Sequence, residues 1–152
     1  MKKMICFDMD GTIADLYGVE NWLEKLRASD ASPYVEARPL WDMDALRSVL
    51  DLLMLNGWEI RIVSWLSKGS DAAYNKAVRE AKREWLTANG FPFDRAHFVA
   101  YGATKANSVR GAADYAVLVD DNDKVRNGWK LGATINPTAC DLIEELRKLL
   151  GE

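Results

Sequence analysis

Cysteine is nearly absent: Cys6 and Cys140 are the only two in 152 residues. So few, so far apart, they support neither a disulfide framework nor a zinc site, and Cys6, inside an apolar run, reads as core. No apolar segment is long enough to span a bilayer. Lys2-Lys3 leads into an apolar run that Asp8 interrupts, which is not a signal-peptide pattern. A basic surplus is lacking as well, with 20 Lys and Arg against 23 Asp and Glu and a net charge of −3. Nothing in the overall charge advertises nucleic-acid binding. There is no Gly-Lys-Ser/Thr phosphate loop and no Gly-x-Gly-x-x-Gly turn, which removes the usual nucleotide-cofactor readings. Internal repeats and low-complexity stretches are missing too. These absences lead to the expectation of a cytoplasmic protein with no membrane partner.

What remains is an ordinary globular mix, 49% apolar and 28% charged, in a chain long enough for one domain over 1–152 with a proper core. Apolar runs read as strands at Met4 to Phe7, Trp58 to Val63, His97 to Tyr101, Tyr115 to Val119 and Thr134-Ile135. Helical patterns lie between them. One follows Asp42, which is placed as an N-cap, and ends at Asn56-Gly57. A second runs from about Ala72 to Ala88, its stripe read as Ala73, Ala77, Ala81 and Trp85 with Lys and Arg outside. Short helices are expected from Lys105 behind a Thr104 cap and around Lys124 to Lys130, and a last one behind a Thr138 cap. Strands alternating with helices predict an α/β fold, a Rossmann-like three-layer sandwich around a five-stranded, mainly parallel sheet. The segment 14–42 does not fit the alternation. It reads as a small cap-like insertion over the strand tips, with a short helix from Asn21 to Ala28 and a turn-like stretch from Ser29 to Pro39.

The chemistry collects at the ends of the strands. Asp8 and Asp10 follow the first apolar run, two residues apart, so both would share a side at its C-terminal tip if the strand continued. Open α/β sheets carry their sites at such tips. Asp-Gly is also a common turn, so this segment alone leaves both readings open. Ser64 ends the second strand, where a hydroxyl can donate to a phosphate oxygen, although Ser also commonly begins loops. Lys105 opens a helix, where the dipole favours an anion over a cation; a bound phosphate would remove the conflict, and a solvated surface lysine is the alternative. Asp120-Asp121 ends the fourth strand. Two adjacent carboxylates repel unless a cation lies between them, and hard oxygen ligands suit Mg²⁺; helix capping by Asp121 or Asp123 is compatible with that role.

Asp8-Met9-Asp10-Gly11-Thr12 fits the Asp-x-Asp-x-Thr signature of the haloacid dehalogenase-like (HAD) superfamily. Ser64, Lys105 and Asp120-Asp121 fall in that family's order, so the chain resembles HAD phosphatases over its whole length. The resemblance implies an Mg²⁺-dependent phosphomonoester hydrolase. Asp8 would be the nucleophile that forms an aspartyl-phosphate, and Asp10 the acid/base. Ser64 and Lys105 would hold the substrate phosphate. Asp8, the Asp10 carbonyl, Asp120 and Asp121 would bind Mg²⁺. Dehalogenases lack an acid at the Asp10 position and ion-pumping ATPases carry Thr there, which points to phosphatases. The short insertion departs from the family's large helical caps and implies an open site. Such a site suits a bulky substrate, a nucleic-acid end or phosphoprotein, or a small one covered by a neighbouring subunit in a homo-oligomer. The small-molecule version resembles the 5′-nucleotidases, with Tyr17, Trp22, Trp41 or Trp65 available to stack on a base. A non-catalytic HAD-like binding module is a further alternative.

Overall fold

The computed structural model describes residues 1–69 and 71–151. Ser70, inside the expected loop from Ser67 to Asp71, and Glu152 lie outside the described residues.

Strand β1 (Lys3–Phe7) is the middle of a five-stranded sheet whose order is β5-β4-β1-β6-β7, completed by β4 (Trp58–Trp65), β5 (Arg95–Val99), β6 (Tyr115–Val119) and β7 (Thr134–Ile135). All four neighbouring pairs are parallel. The short ribbon β2 (Ala14–Asp15) and β3 (Arg38–Pro39) is antiparallel and separate from that sheet.

A strand buried on both faces reads as unbroken apolar sequence, and β1 shows why. Ile5 and Phe7 join Ile60, Ile62, Val117 and Val119 on one face, against Leu46, Leu50 and Leu53 of α3 (Met43–Leu55), Trp85 and Leu86 of α4 (Ala72–Ala88), and Leu142 and Leu146 of α6 (Leu142–Lys148). Met4 and Cys6 point the other way, onto Ala106, Val109 and Trp129. The result is the Rossmann-like α/β sandwich that the alternation predicts. Asp42 caps α3 as expected, accepting from the Asp44 and Ala45 N–H groups at 3.0 and 3.1 Å.

Segment 14–42 is held by its own apolar cluster. α1 (Trp22–Arg27) follows a single 3-10 turn, Leu16–Gly18. Leu16 and Tyr34 pack with Leu66 and with Tyr74, Val78 and Ala81 of α4. The Trp85 indole donates to the Ala37 carbonyl at 2.7 Å, and the Tyr74 hydroxyl to the Asp30 carbonyl at 3.1 Å. The stretch expected as turn-like from Ser29 to Pro39 contains helix α2 (Ser32–Glu36). Pro33 sits in its first turn, where its missing N–H costs nothing.

Four local expectations are corrected. The third strand runs Arg95–Val99, not His97 to Tyr101, because its ladder with β4 begins at Arg61 with Arg95 and ends at Trp65 with Val99. Thr104 makes no side-chain cap, and Lys105–Ser108 is a 3-10 turn. Asp141, not Thr138, caps α6, accepting from Ile143 N–H at 3.0 Å, while the Thr138 hydroxyl bonds Asn136. The buried stripe of α4 is Tyr74, Val78, Ala81, Lys82, Trp85 and Leu86, so Ala73 is exposed and one lysine lies inside.

Candidate active site

The chain winds outward from β1 to β4 and β5, then returns to place β6 on the other side of β1. The order therefore reverses between β1 and β6, and a crevice opens there beyond the strand ends. The two strands run in register, Phe7 beside Val119, and Asp8 N–H still donates to the Val119 carbonyl at 2.9 Å. Asp8 and Asp120 are the next residues, at the tips of neighbouring strands.

Asp8 is 7% exposed and Asp120 1%. Lys105, itself buried, reaches both: Nζ lies 2.9 Å from Asp8 Oδ1 and 2.7 Å from Asp120 Oδ2. The other oxygen of Asp120 accepts from Asn122 N–H at 2.9 Å. Asn122, rather than Asp121 or Asp123, caps α5 (Asp123–Gly128), leaving both acids out of the cap. The Thr12 hydroxyl lies 3.0 Å from Asp8 Oδ2 and 3.2 Å from Asp121 Oδ1, and accepts from Asp121 N–H at 3.2 Å. Thr12 thus ties the first motif to the last. Gly11 makes that approach possible. Its φ is +78°, and a Cβ there would run into the Asp121 carboxylate and the Tyr17 ring.

One oxygen each from Asp8, Asp120 and Asp121 lies within 4.8 Å of the others. Three hard oxygen donors at that spacing suit a divalent cation such as Mg²⁺. Their electrostatics fit as well. Burial raises the Asp120 carboxyl to about 6, with the Asp8 charge adding and Lys105 opposing. Burial, together with the hydrogen bond and charge of Asp8, lifts Asp121 to about 7. Such crowded acids gain from a cation among them. Burial also pushes Asp8 upward, but the Lys105 ammonium and a hydrogen bond from Asp121 outweigh it and hold Asp8 below the ordinary carboxylate range. Lys105 is itself raised: burial opposes its charge, while Asp8 and Asp120 stabilise it more.

Asp10 stands apart from the metal-competent trio. Its carboxyl is raised, first by burial and then by Asp8, against the pull of Lys82. Lys82 Nζ donates to Asp10 Oδ2 at 3.0 Å, to Ser64 Oγ at 2.6 Å and to the Trp65 carbonyl at 2.8 Å. Ser64, expected as a phosphate ligand, is fully buried and faces this lysine. Sequence reasoning placed Lys82 on the outer face of α4. The signal that locates it is the spacing Tyr74, Val78, Ala81, Trp85, in which Lys82 follows Val78 by one turn.

A cleft of about 950 Å³ opens over Asp8, Asp10, Lys105, Asp120 and Asp121. Two aromatic pairs line it, Tyr17 with Trp22 (ring centres 5.0 Å apart) and Trp65 with Tyr101 (5.2 Å). Arg27, Lys68 and Lys124 add positive charge. Trp41 is not part of this cleft; its indole donates to the Thr12 carbonyl at 2.8 Å.

Solved structures of similar fold agree with this architecture. D,D-heptose 1,7-bisphosphate phosphatase from Burkholderia thailandensis superposes with a TM-score of 0.57 at 14% identity, covering 99% of this chain and 100% of that one. The N-terminal part of BF1531 from Bacteroides fragilis, containing a phosphatase domain complexed with Mg, gives 0.52 at 18%, over 96% and 40%. A chain of the Pnkp1/Rnl/Hen1 complex gives 0.63 at 16% identity over 89% of this chain, which spans only 45% of the length of that one. No family model and no curated protein sequence matches the chain. The chain shares the fold of these solved structures, an α/β sandwich around a five-stranded parallel sheet. Among the described residues, no helix is long and apolar enough to cross a membrane.

Proposed function

We propose that the chain is an Mg²⁺-dependent phosphomonoester hydrolase in which Asp8 takes the phosphoryl group as an aspartyl-phosphate. The observation that carries this reading is the convergence of Asp8, Lys105, Asp120 and Asp121, from three separate stretches of sequence, on one buried point at the strand tips. Asp8, Asp120, Asp121 and the Asp10 carbonyl would hold the Mg²⁺, whose charge would lower the repulsion between a carboxylate and a phosphate dianion. Burial pushes the Asp8 carboxyl up, but the Lys105 ammonium outweighs it and holds the pKa below the ordinary carboxylate value, which favours the ionised form a nucleophile needs. Asp10 has its proton favoured by burial, as a general acid must. It gives that proton to the departing oxygen, then receives one from the water that attacks the aspartyl-phosphate. Lys105 and Ser64 hold the phosphate, and segment 14–42 acts as a short cap over a single domain.

The substrate side of the cleft supports a nucleotide or another small phosphate with a planar group, because both aromatic pairs line the same cleft as the acids. A nucleic-acid end is the second reading, supported by the size of the cleft and by Arg27, Lys68 and Lys124 along it. Phosphate release from an aryl phosphate with and without Mg²⁺ tests the reaction. A panel of nucleotides, sugar phosphates and end-phosphorylated oligonucleotides then ranks the substrates. No release from any of them in the presence of Mg²⁺ would overturn the hydrolase reading in favour of a binding module.

A further inference from the structure

Lys82 lies in the middle of α4 with no exposed surface. Burying an ammonium costs several kcal/mol unless it is paired and fully hydrogen-bonded. Here it is: an ammonium has three N–H donors, and the three acceptors are Asp10 Oδ2, Ser64 Oγ and the Trp65 carbonyl. The Tyr34 ring, from segment 14–42, covers it with its centre 5.0 Å from Nζ. A well-packed apolar side chain at such a place is usually as stable as a buried ion pair, so stability alone does not account for the charge. Nor is Lys82 placed to hold substrate, because every donor is spent inside the protein and it does not line the cleft.

We propose that Lys82 is the positioning residue for the proton-transfer step, acting through Asp10 and Ser64 without touching substrate. It rests on the hydrolase reading above. Nζ anchors Asp10 by Oδ2, which leaves Oδ1 to serve the reaction. In the first step the Oδ1–H bond breaks and the proton goes to the leaving oxygen as its bond to phosphorus breaks and the Asp8–phosphorus bond forms. In the second step water adds to phosphorus, the Asp8–phosphorus bond breaks, and the water proton returns to Oδ1. Ser64 Oγ accepts from Lys82, so its own hydrogen points away from Nζ. Tyr34 brings segment 14–42 into this arrangement, since its ring lies over Lys82 Nζ.

The test compares the native chain with Lys82→Met, Lys82→Arg, Asp10→Asn and the double variant Lys82→Met/Asp10→Asn, on aryl phosphates of graded leaving-group acidity. General acid–base help is worth about 10²–10⁴-fold. Lys82→Met is expected to lose about 10²-fold of kcat within that range, with KM little changed, and to depend more steeply on the leaving group. Lys82→Arg recovers part of the loss. The double variant, which leaves no buried unpaired charge and so serves where Lys82→Met alone folds poorly, is expected to match Asp10→Asn. Multiplicative losses in the double variant, or a change confined to KM, would overturn the positioning role. If the native chain releases no phosphate, the hydrolase reading fails and this role fails with it. If the native chain is active and Asp10→Asn is slow, the hydrolase reading stands and only Lys82 is in question.

Discussion

The ammonium of Lys105 touches the carboxylate of Asp8 at 2.9 Å, across 97 residues of sequence. It touches Asp120 as well, so one buried cation balances two buried anions. Removing it leaves both without a partner. Lys105→Met is expected to lower stability by about 3–5 kcal/mol at neutral pH, the usual cost of breaking a buried pair from one side, and Mg²⁺ should restore part of that loss. Thermal unfolding with EDTA and with Mg²⁺ checks it; an unchanged melting temperature in EDTA would show that the pair contributes nothing.

Asp8→Asn and Asp10→Asn should fail differently. The first removes the nucleophile, so no phosphoenzyme forms. The second keeps the nucleophile but loses the proton donor and base, a deficit of about 10²–10⁴-fold that a good leaving group partly offsets in the first step only. Asp10→Asn should therefore accumulate phosphorylated protein from an activated aryl phosphate. Intact-mass spectrometry after an acid quench reads it, and a phosphoryl group on the Asp8 variant or mapped to Ser64 would refute the assignment.

Stability should depend on pH in a direction set by Asp120 and Asp121. Their folded-state values, about 6 and about 7, lie above the ordinary value of 3.8. Groups raised on folding contribute stability that is present below the unfolded value and is lost as pH rises through the folded one. The metal-free chain should thus lose stability between about pH 4 and pH 7 from these two groups. Asp8, held low, acts oppositely and weakens the fold only in more acid solution. Mg²⁺ should reverse the loss above pH 7, because it favours the ionised forms. A melting temperature that rises across this window without metal would contradict the raised values.

Gly11→Ala is expected to weaken Mg²⁺ binding more than it weakens the fold. The backbone there is left-handed, and the new methyl would push the Asp121 carboxylate and the Tyr17 ring aside. Strain of this kind costs about 1 kcal/mol or somewhat more. Calorimetric titration with Mg²⁺ beside thermal unfolding separates the two effects; an unaltered affinity would mean that Asp121 does not take part in holding the cation.

Trp65→Ala and Tyr17→Ala should shift preference among substrates more than they slow an aryl phosphate, since both rings line the cleft and each pairs with a second aromatic there. A stacked base is worth about 1–3 kcal/mol, so selectivity for nucleotides over sugar phosphates should fall roughly 10-fold or more. Equal losses on every substrate would assign these rings to structure.

The sequence by itself determined the sheet and the acids. β1 and β6 are short, apolar except for Lys3, and followed at once by Asp, so burial fixes the strand and the carboxylate marks its end. Tyr115–Val119 and Thr134–Ile135 coincide with the runs read from periodicity. Elements governed by local hydrogen bonds were less legible. Thr138 and Asp141 are both competent caps, and only the docking of Leu142 and Leu146 on the core selects Asp141. Tertiary structure decided between two stripes that the sequence of α4 offers. Three alanines at helical spacing offer nearly the same pattern as Tyr74, Val78 and Ala81, and the choice falls to the aromatic and branched side chains that fill the space against Leu16, Tyr34 and Leu66. That one rotation carries Lys82 from solvent to Asp10 and Ser64. A lysine is assigned to the surface by its desolvation cost, and only the acceptors gathered from two other strand ends offset that cost.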